Sequence, residues 1–344
     1  MVARMTRMLF QSKAGNLAAI LTPNNRQGIT IMHNNHLNTN PIEQFYDAIR
    51  SAGLEPPLSI EPGKFYRFPG VGKKQSNRAG WCRLFPDLLG GAFGDFSSGI
   101  SSNWRINTNR HFTATERVLF NKHLAETKAQ IELERKTSQD NAKIRANEIW
   151  IASDFVSGEH PYLVHKNITA NGVKIYRGHL KIGGMQCHGA IIVPLFYRGE
   201  LVSLQFINQM GEKRFLPRSK IIGCYHLLGA NQIPTHGRLL VCEGLATGSI
   251  INELTHCPVA IAFNARNLIA VAQEISRLSL PIELVIACDN DRNTTGNPGM
   301  RLGREAAVNA GASIVWPDFP CSNCECSDFN DLSNCLRSKK EALA

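Results

Sequence analysis

VIACDNDRNTTGNPG, residues 285–299, runs from apolar residues straight into two carboxylates two positions apart. Val285-Ile286-Ala287-Cys288 reads as the end of a buried strand, and Gly296 and Pro298 require a turn beyond it. Working outward, the same grammar repeats. LLVCEG around 239–244 is a strand and 246–254 a helix; PVAIAF is a strand and 266–279 a helix; ELVIAC is a strand and 300–310 a helix; SIVWP closes the series. Strands alternating with helices at this spacing predict a parallel α/β sheet with helical crossovers. In such sheets, ligands sit beyond the carboxyl ends of the strands.

Three acidic segments fall at those ends: Glu243-Gly244, Asp289-x-Asp291, and SDFNDL with Asp328 and Asp331. In extended chain, residues i and i+2 project to one side, so Asp289 and Asp291 point together. Two like charges that close repel, and a cation between them removes the penalty. A hard ion such as Mg²⁺ or Mn²⁺ takes oxygen ligands and keeps waters exchangeable for phosphate oxygens. Gly244 is expected to let the chain turn tightly after Glu243. A lone Asp-x-Asp is more often a turn or a cap. The ordered set on alternating strands is what points to a metal site.

LLVCEGLATGSII, VIACDNDRNTTGNPG and SDFNDL together resemble the TOPRIM domain, a catalytic module of bacterial-type primases, type IA and II topoisomerases and some nucleases. The resemblance implies Glu243 as general acid/base, Asp289 and Asp291 as Mg²⁺ ligands with Asp328 assisting, and Asp331 as a further candidate. AIIVPLFYRGELVSLQFINQMGEKRFLPRSKIIGCYHLLG, 190–229, resembles the subdomain that precedes this module in primases. It implies a basic ridge of Lys213, Arg214, Arg218 and Lys220. HPYLVHKNI (160–168, with Lys166) and the segments AGLEPP, FYRFP and GWCRLFPDLLGGAFGDFSSGISSNW resemble plasmid- and phage-borne primases of the conjugative type.

The expected organisation has a flexible leader at 1–40 and a basic, aromatic, β-rich ribbon-like domain at 41–110, opened by a short helix over 41–56. A helical connector follows at 111–155, then a small α+β primase-core subdomain at 156–236. The TOPRIM domain covers 237–335 and a tail 336–344. Residues 64–110 carry eight Lys/Arg against Asp87 and Asp95, most of a chain-wide net charge of +10. That balance favours phosphate-bearing partners. Here Lys73, Lys74 and Arg78 would track phosphates, while exposed Trp81 and Trp104 would stack bases of single-stranded DNA.

Several classes are excluded. GVGKKQS (70–76) lacks the first glycine of a Walker A at the required spacing, so no helicase motor is expected. No apolar run suits a membrane span, and no signal peptide is read at the start. With Cys82 alone beside His33, His36 and His111, the N-terminal region cannot build a four-ligand zinc ribbon. Cys321, Cys324, Cys326 and Cys335 have one zinc-like interval, but their spacing is compressed and overlaps the acidic loop, so thiols without zinc are expected. The function expected is Mg²⁺-dependent synthesis of oligoribonucleotide primers on single-stranded DNA from nucleoside triphosphates, in the cytoplasm, with a separate replicative helicase as a candidate partner. A TOPRIM nuclease and a non-catalytic single-stranded DNA-binding protein are the alternatives.

Overall fold

Asn40 opens the first element. Its side chain accepts from the Ile42 N–H, and Pro41 occupies the first helical position of α1 (Pro41–Ser51). The computed structural model describes residues 40–108, 110–157, 159–320 and 324–341; the leader expected over 1–40 lies, except for Asn40, outside them. The chain divides into two compact units, with the division between Lys136 and Thr137. Helix α2 (Ala114–Ile151) contributes residues to both. No described helix is long and apolar enough to cross a membrane.

In the first unit, β1 (Phe65–Phe68), β2 (Gly80–Leu84), β3 (Gly90–Asp95) and β4 (Ile100–Arg105) form an antiparallel meander in chain order. Phe45 and Ile49 of α1 pack on Leu54, Phe68, Leu84 and Phe93. Gly91 admits the Phe45 ring, because a Cβ there would come within 2.6 Å of it. Phe120 of α2 covers Phe85 and lies against Gly90.

In the second unit, β5 (Asp154–Phe155), α3 (Pro161–Lys166) and β6 (Lys174–Ile175) precede the small hairpin β7 (Lys181–Ile182) and β8 (Met185–Gln186). The expected long hairpin is β9 (Ile191–Tyr197) and β10 (Glu200–Ile207). It turns through Arg198 (φ 50°) and Gly199 (φ 83°), the two left-handed residues that a tight hairpin turn requires. With β11 (Lys213–Phe215) they form an antiparallel sheet of order β11-β10-β9-β6-β5. Ala142 and Ala146 of α2 join the core on one side of this sheet, so the end of that helix is packed and not solvated all round.

The second sheet holds β12 (His226–Leu228), β13 (Gly237–Cys242), β14 (Val259–Ile261), β15 (Ile282–Ala287) and β16 (Ser313–Val315), in the order β12-β14-β13-β15-β16. All neighbours are parallel except β12, which runs against β14. Helices α4 (Leu245–Thr255), α5 (Ala265–Ser276), α6 (Pro298–Ala310) and α7 (Phe329–Glu341) cover it. Side-chain alternation separates the two faces. Leu239, Val241, Leu284 and Ile286 pack with α5 and α6. Leu240, Cys242, Val285 and Ala287 pack with α4 and α7. A sheet buried on both faces explains why its strands read as continuous apolar runs.

Candidate active site

Glu243 follows β13 immediately, and Asp289 lies two residues past β15. Those strands are adjacent and parallel, with Cys242 opposite Ala287, so the chain delivers both acids at one sheet edge. Neighbouring strands sit about 4.8 Å apart. A third acid comes from the segment before α7. Asn290, between the two aspartates, ties it in: its N–H donates to Ser327 O (2.7 Å) and its Nδ2 to Pro317 O (3.1 Å). Asn297 Nδ2 in turn donates to Asn290 Oδ1 (2.9 Å). Asp328 caps α7, accepting from the Asp331 N–H (2.8 Å).

Asp291 is anchored differently from Asp289. Its Oδ2 accepts the Gly299 N–H (2.8 Å) in the first turn of α6, where the helix dipole favours negative charge. Asn297, left-handed at φ 40°, caps that helix through the Met300 N–H. Gly299 is required by close approach: a Cβ would fall 2.6 Å from Asp289 O and 2.9 Å from Asp291 Oδ2. By contrast, Gly244 is extended (φ −121°), and a Cβ on it would meet nothing within 4 Å. The tight turn expected of Gly244 is therefore not what its backbone does. The chain enters α4 in a conformation open to any residue.

The acids raise one another's proton affinity. Burial, then Asp291 and Asp328, pushes Glu243 up to about 7, against the pull of Lys213 and the Ala265 N–H at the start of α5. Burial, then Glu243, Asp328 and Asp291, raises Asp289 well above the carboxylate range. Burial and Asp331 raise Asp328. Glu243 Oε1 and Asp289 Oδ1 are buried and accept no hydrogen bond. Buried acceptors without donors are costly unless something positive faces them. These two open acceptors fit a divalent cation at this edge of the sheet. No three of these carboxylates place oxygens within 4.8 Å of one another, so they do not close as a dedicated cage. Mg²⁺ takes one or two carboxylates and completes its shell with water and substrate oxygens. Asp331 is otherwise engaged: its Oδ2 accepts the Ser327 N–H (3.1 Å), and its Oδ1 lies 3.5 Å from Lys166 Nζ.

Of the expected basic ridge, Lys213 is the member that acts on the acids. Although Lys213 as a whole is solvent-exposed, desolvation near its ammonium and then Lys166 lower its pKa, while Asp328, Asp289 and Glu243 pull it back up. Its neighbour Arg214 points the other way, as alternation along β11 demands. It pairs with Glu212 and lies against Gly183 in the β7–β8 turn. Arg218 is exposed at φ 65°, and Lys220 sits 4.0 Å above the Tyr197 ring. Neither is gathered with the acids. In the first unit, Lys73, Lys74 and Arg78 lie exposed between β1 and β2. Trp81 is only 4% exposed and stacks on Phe65 at 5.9 Å, so the exposed stacking surface expected of it is absent. Trp104 is half-buried against Phe45. Phe96, 45% exposed with Arg67 over its ring at 4.8 Å, is the aromatic of this stretch that does reach the surface.

Asn290, Gly299 and the Ala265 N–H were missed. Asn290 and Gly299 stood inside the quoted stretch, but hydrogen bonds to distant carbonyls and helix approach carry no local signature. Beside the acidic edge, the sulfurs of Cys324, Cys326 and Cys335 lie within 4.8 Å of one another. Cys321 lies outside the described residues.

No family model matches the chain. Over 298 residues, 82% of this chain, it is 28% identical to a DNA primase TraC of Escherichia coli, of which the match covers 20%. It is 32% identical over 157 residues to another DNA primase TraC of Escherichia coli, covering 41% of this chain and 15% of that protein. The match thus spans about a fifth or less of the length of these curated relatives. Among solved structures, the Aquifex aeolicus primase (zinc-binding and RNA polymerase domains) aligns at TM-score 0.38 and 13% identity, covering 88% of this chain and 83% of that one. The DnaG catalytic core aligns at TM-score 0.35 and 13% identity, covering 60% and 79%. Scores this low place no residue.

Proposed function

We propose that this chain is the catalytic part of a DNA primase of the plasmid or phage type, with a TOPRIM domain over its parallel sheet. It would make short RNA primers on single-stranded DNA from nucleoside triphosphates in the cytoplasm, alongside a separate replicative helicase. One observation carries this reading. Glu243, Asp289, Asp291 and Asp328 converge at the carboxyl edge of the sheet, with two buried oxygens left without donors, in a chain similar to a DNA primase.

In the reaction, the primer 3′-oxygen forms a bond to the α-phosphorus of the incoming nucleotide. The bond from that phosphorus to the bridging oxygen breaks, and pyrophosphate leaves. A divalent ion, Mg²⁺ or Mn²⁺, held by Asp289, Asp291 and Asp328 would supply Lewis-acid stabilisation of the developing charge. Glu243, held near neutrality, is tuned to take the hydroxyl proton at Oε1. Lys213, crowded by Lys166 and facing the acids, would bind phosphate oxygens. Gly299 and Asn290 position the aspartates. Lys73, Lys74 and Arg78 would hold template phosphates, and Phe96 would offer a base-stacking face.

The test is primer synthesis by the intact protein on mixed-sequence single-stranded DNA with the four nucleoside triphosphates and Mg²⁺, read as labelled oligoribonucleotides. Absence of product overturns the proposal, as does undiminished product from Asp289→Asn. Cutting of the DNA without nucleotides would reassign the same acids to nuclease chemistry.

A further inference from the structure

The cysteines beside the acidic loop form the strongest unassigned constellation. Cys324 and Cys326 lie in the segment entering α7, and Cys335 lies one helical turn after Asp331 on the helix itself. The helix therefore carries Cys335 back to the segment, and all three sulfurs come within 4.8 Å of one another. In a tetrahedral zinc–thiolate site, Zn–S bonds of about 2.3 Å place sulfurs roughly 3.8 Å apart. Closing the trio onto an ion thus needs shifts of about 1 Å or less, within the reach of side-chain rotation. The cysteines are half-buried, and none of the three is in a disulfide.

A second observation places a cation at one of the three sulfurs, Cys324, whereas burial, Cys324, Cys335 and Asp331 push the Cys326 thiol up to about 12, a proton that a bound metal ion must displace. Arg292 Nη2 donates to Cys324 Sγ (2.9 Å) and to Cys324 O (2.9 Å), while its guanidinium lies over the Phe319 ring at 4.7 Å. Asn293 Nδ2 also donates to Cys324 O (3.3 Å). A cation donating to a sulfur supports a thiolate, which is the ligand form. Soft thiolates select Zn²⁺ over the hard ions that suit carboxylates. The two neighbouring constellations are therefore chemically orthogonal, with sulfur on one side and oxygen on the other.

We propose that Cys324, Cys326 and Cys335 bind one Zn²⁺ ion as a structural clamp, with the fourth coordination position unassigned. The clamp closes the loop that contains Asp328, since Cys326 precedes it and Cys335 follows it. Through Arg292, the residue after Asp291, it also braces the loop that carries Asp289 and Asp291. Zn²⁺ binding displaces the remaining thiol protons to solvent and changes no oxidation state. The proposal concerns a metal other than the one at the carboxylates, and it stands whether or not the chain makes primers.

The test uses the full chain purified under reducing conditions. Elemental analysis should find zinc near one equivalent, and replacement by Co²⁺ should produce sulfur-to-cobalt charge-transfer bands with the intense d–d bands of a tetrahedral site. X-ray absorption at the zinc edge should fit Zn–S distances of about 2.3 Å. Cys324→Ser and Cys335→Ser should each lower zinc affinity by roughly 10–100-fold, the scale on which even indirect ligand support is felt. Cys257→Ser, at a half-buried thiol in the α4–β14 loop, should leave it unchanged. Where a serine variant fails to fold, the cobalt spectrum of the unaltered protein decides. No metal retained or taken up under reducing conditions overturns the proposal. So do a cobalt spectrum without sulfur bands, full zinc retention in both serine variants, and a disulfide among the three thiols in protein that binds no zinc.

Discussion

Asp95 and Asp289 are both surrounded carboxylates that follow glycine-rich or apolar strand sequence, and the protein treats them in opposite ways. Asp95, fully buried at the end of β3, accepts the Val71 N–H (3.1 Å), the Ser97 N–H (2.8 Å) and the hydroxyls of Ser97 and Ser98. Burial pushes its pKa up, but the donors from Ser97, Val71 and Ser98 outweigh it, and the net result is a lowered value. Asp289 is raised, and its Oδ1 has no donor at all. A carboxylate that organises its loop is saturated with N–H and O–H groups. The one proposed to face a cation is left open and crowded by its own kind. Donor inventory therefore separates these two acids where burial does not.

The largest expected effect breaks the pair at the member proposed to hold the cation. Asp289→Asn keeps the shape and removes the charge. Primer synthesis at saturating Mg²⁺ should fall roughly 10³-fold, the scale of losing a principal electrostatic contact. Thermal unfolding in EDTA should show a stability unchanged or higher by about 1 kcal/mol, because a repelled charge has gone. A variant that is both active and less stable would place Asp289 in the class of Asp95.

Next comes the structural member. Asp95→Ala leaves the Val71 and Ser97 N–H groups without their acceptor, which should cost about 2–4 kcal/mol in chemical denaturation. Synthesis measured well below the unfolding midpoint should change little per folded molecule.

The two regions should also answer pH with opposite sign. Asp95 has a lowered folded pKa, so its contribution is present above its unfolded value near ~3.9 and is lost as pH falls through the folded one. Glu243 is raised from 4.5 to about 7. The folded state holds that proton more tightly, so its contribution is complete below 4.5 and lost as pH rises through about 7. The size is on the order of 1–3 kcal/mol. Melting in EDTA should therefore drop between pH 5 and pH 8, Mg²⁺ should restore most of the loss at pH 8, and Glu243→Gln should reduce the drop, leaving the share of Asp289 and Asp328, which are raised as well. A flat profile in the unaltered protein would show that the acids do not couple.

Legibility in the sequence follows the same division. The parallel sheet could be read because strands buried on both faces are apolar runs, and the helices between them carry a clear period. The acids could be read because strand ends fix their edge. Three-residue β12, antiparallel at the sheet border, had no period to detect and passed as the end of the preceding segment. Trp81 was expected to be exposed because composition records aromatics without saying which face they occupy, and in β2 both faces are covered. Linear spacing makes the cysteines look too compressed for a site, whereas helix α7 returns Cys335 to the two sulfurs before it. Lys213 and Arg214 read alike as neighbours in a basic run, and strand alternation sends one toward the acids and the other toward Glu212.

The smallest effects come from two glycines that the sequence makes look equivalent, each beside a carboxylate. Ala at 299 would drive a Cβ into Asp289 O and Asp291 Oδ2. The loop must move by several tenths of an ångström, and Gly299→Ala should lower synthesis roughly 10–100-fold, as misplacement near 1 Å does. Ala at 244 meets open space in an extended backbone, and it enters a helix start where glycine holds no steric advantage. Gly244→Ala should stay within about 0.5 kcal/mol of the parent in stability. If synthesis nevertheless falls with Gly244→Ala at unchanged stability, the open space beside Glu243 is occupied during the reaction. The missing side chain would then serve the approach of substrate and not the turn of the chain.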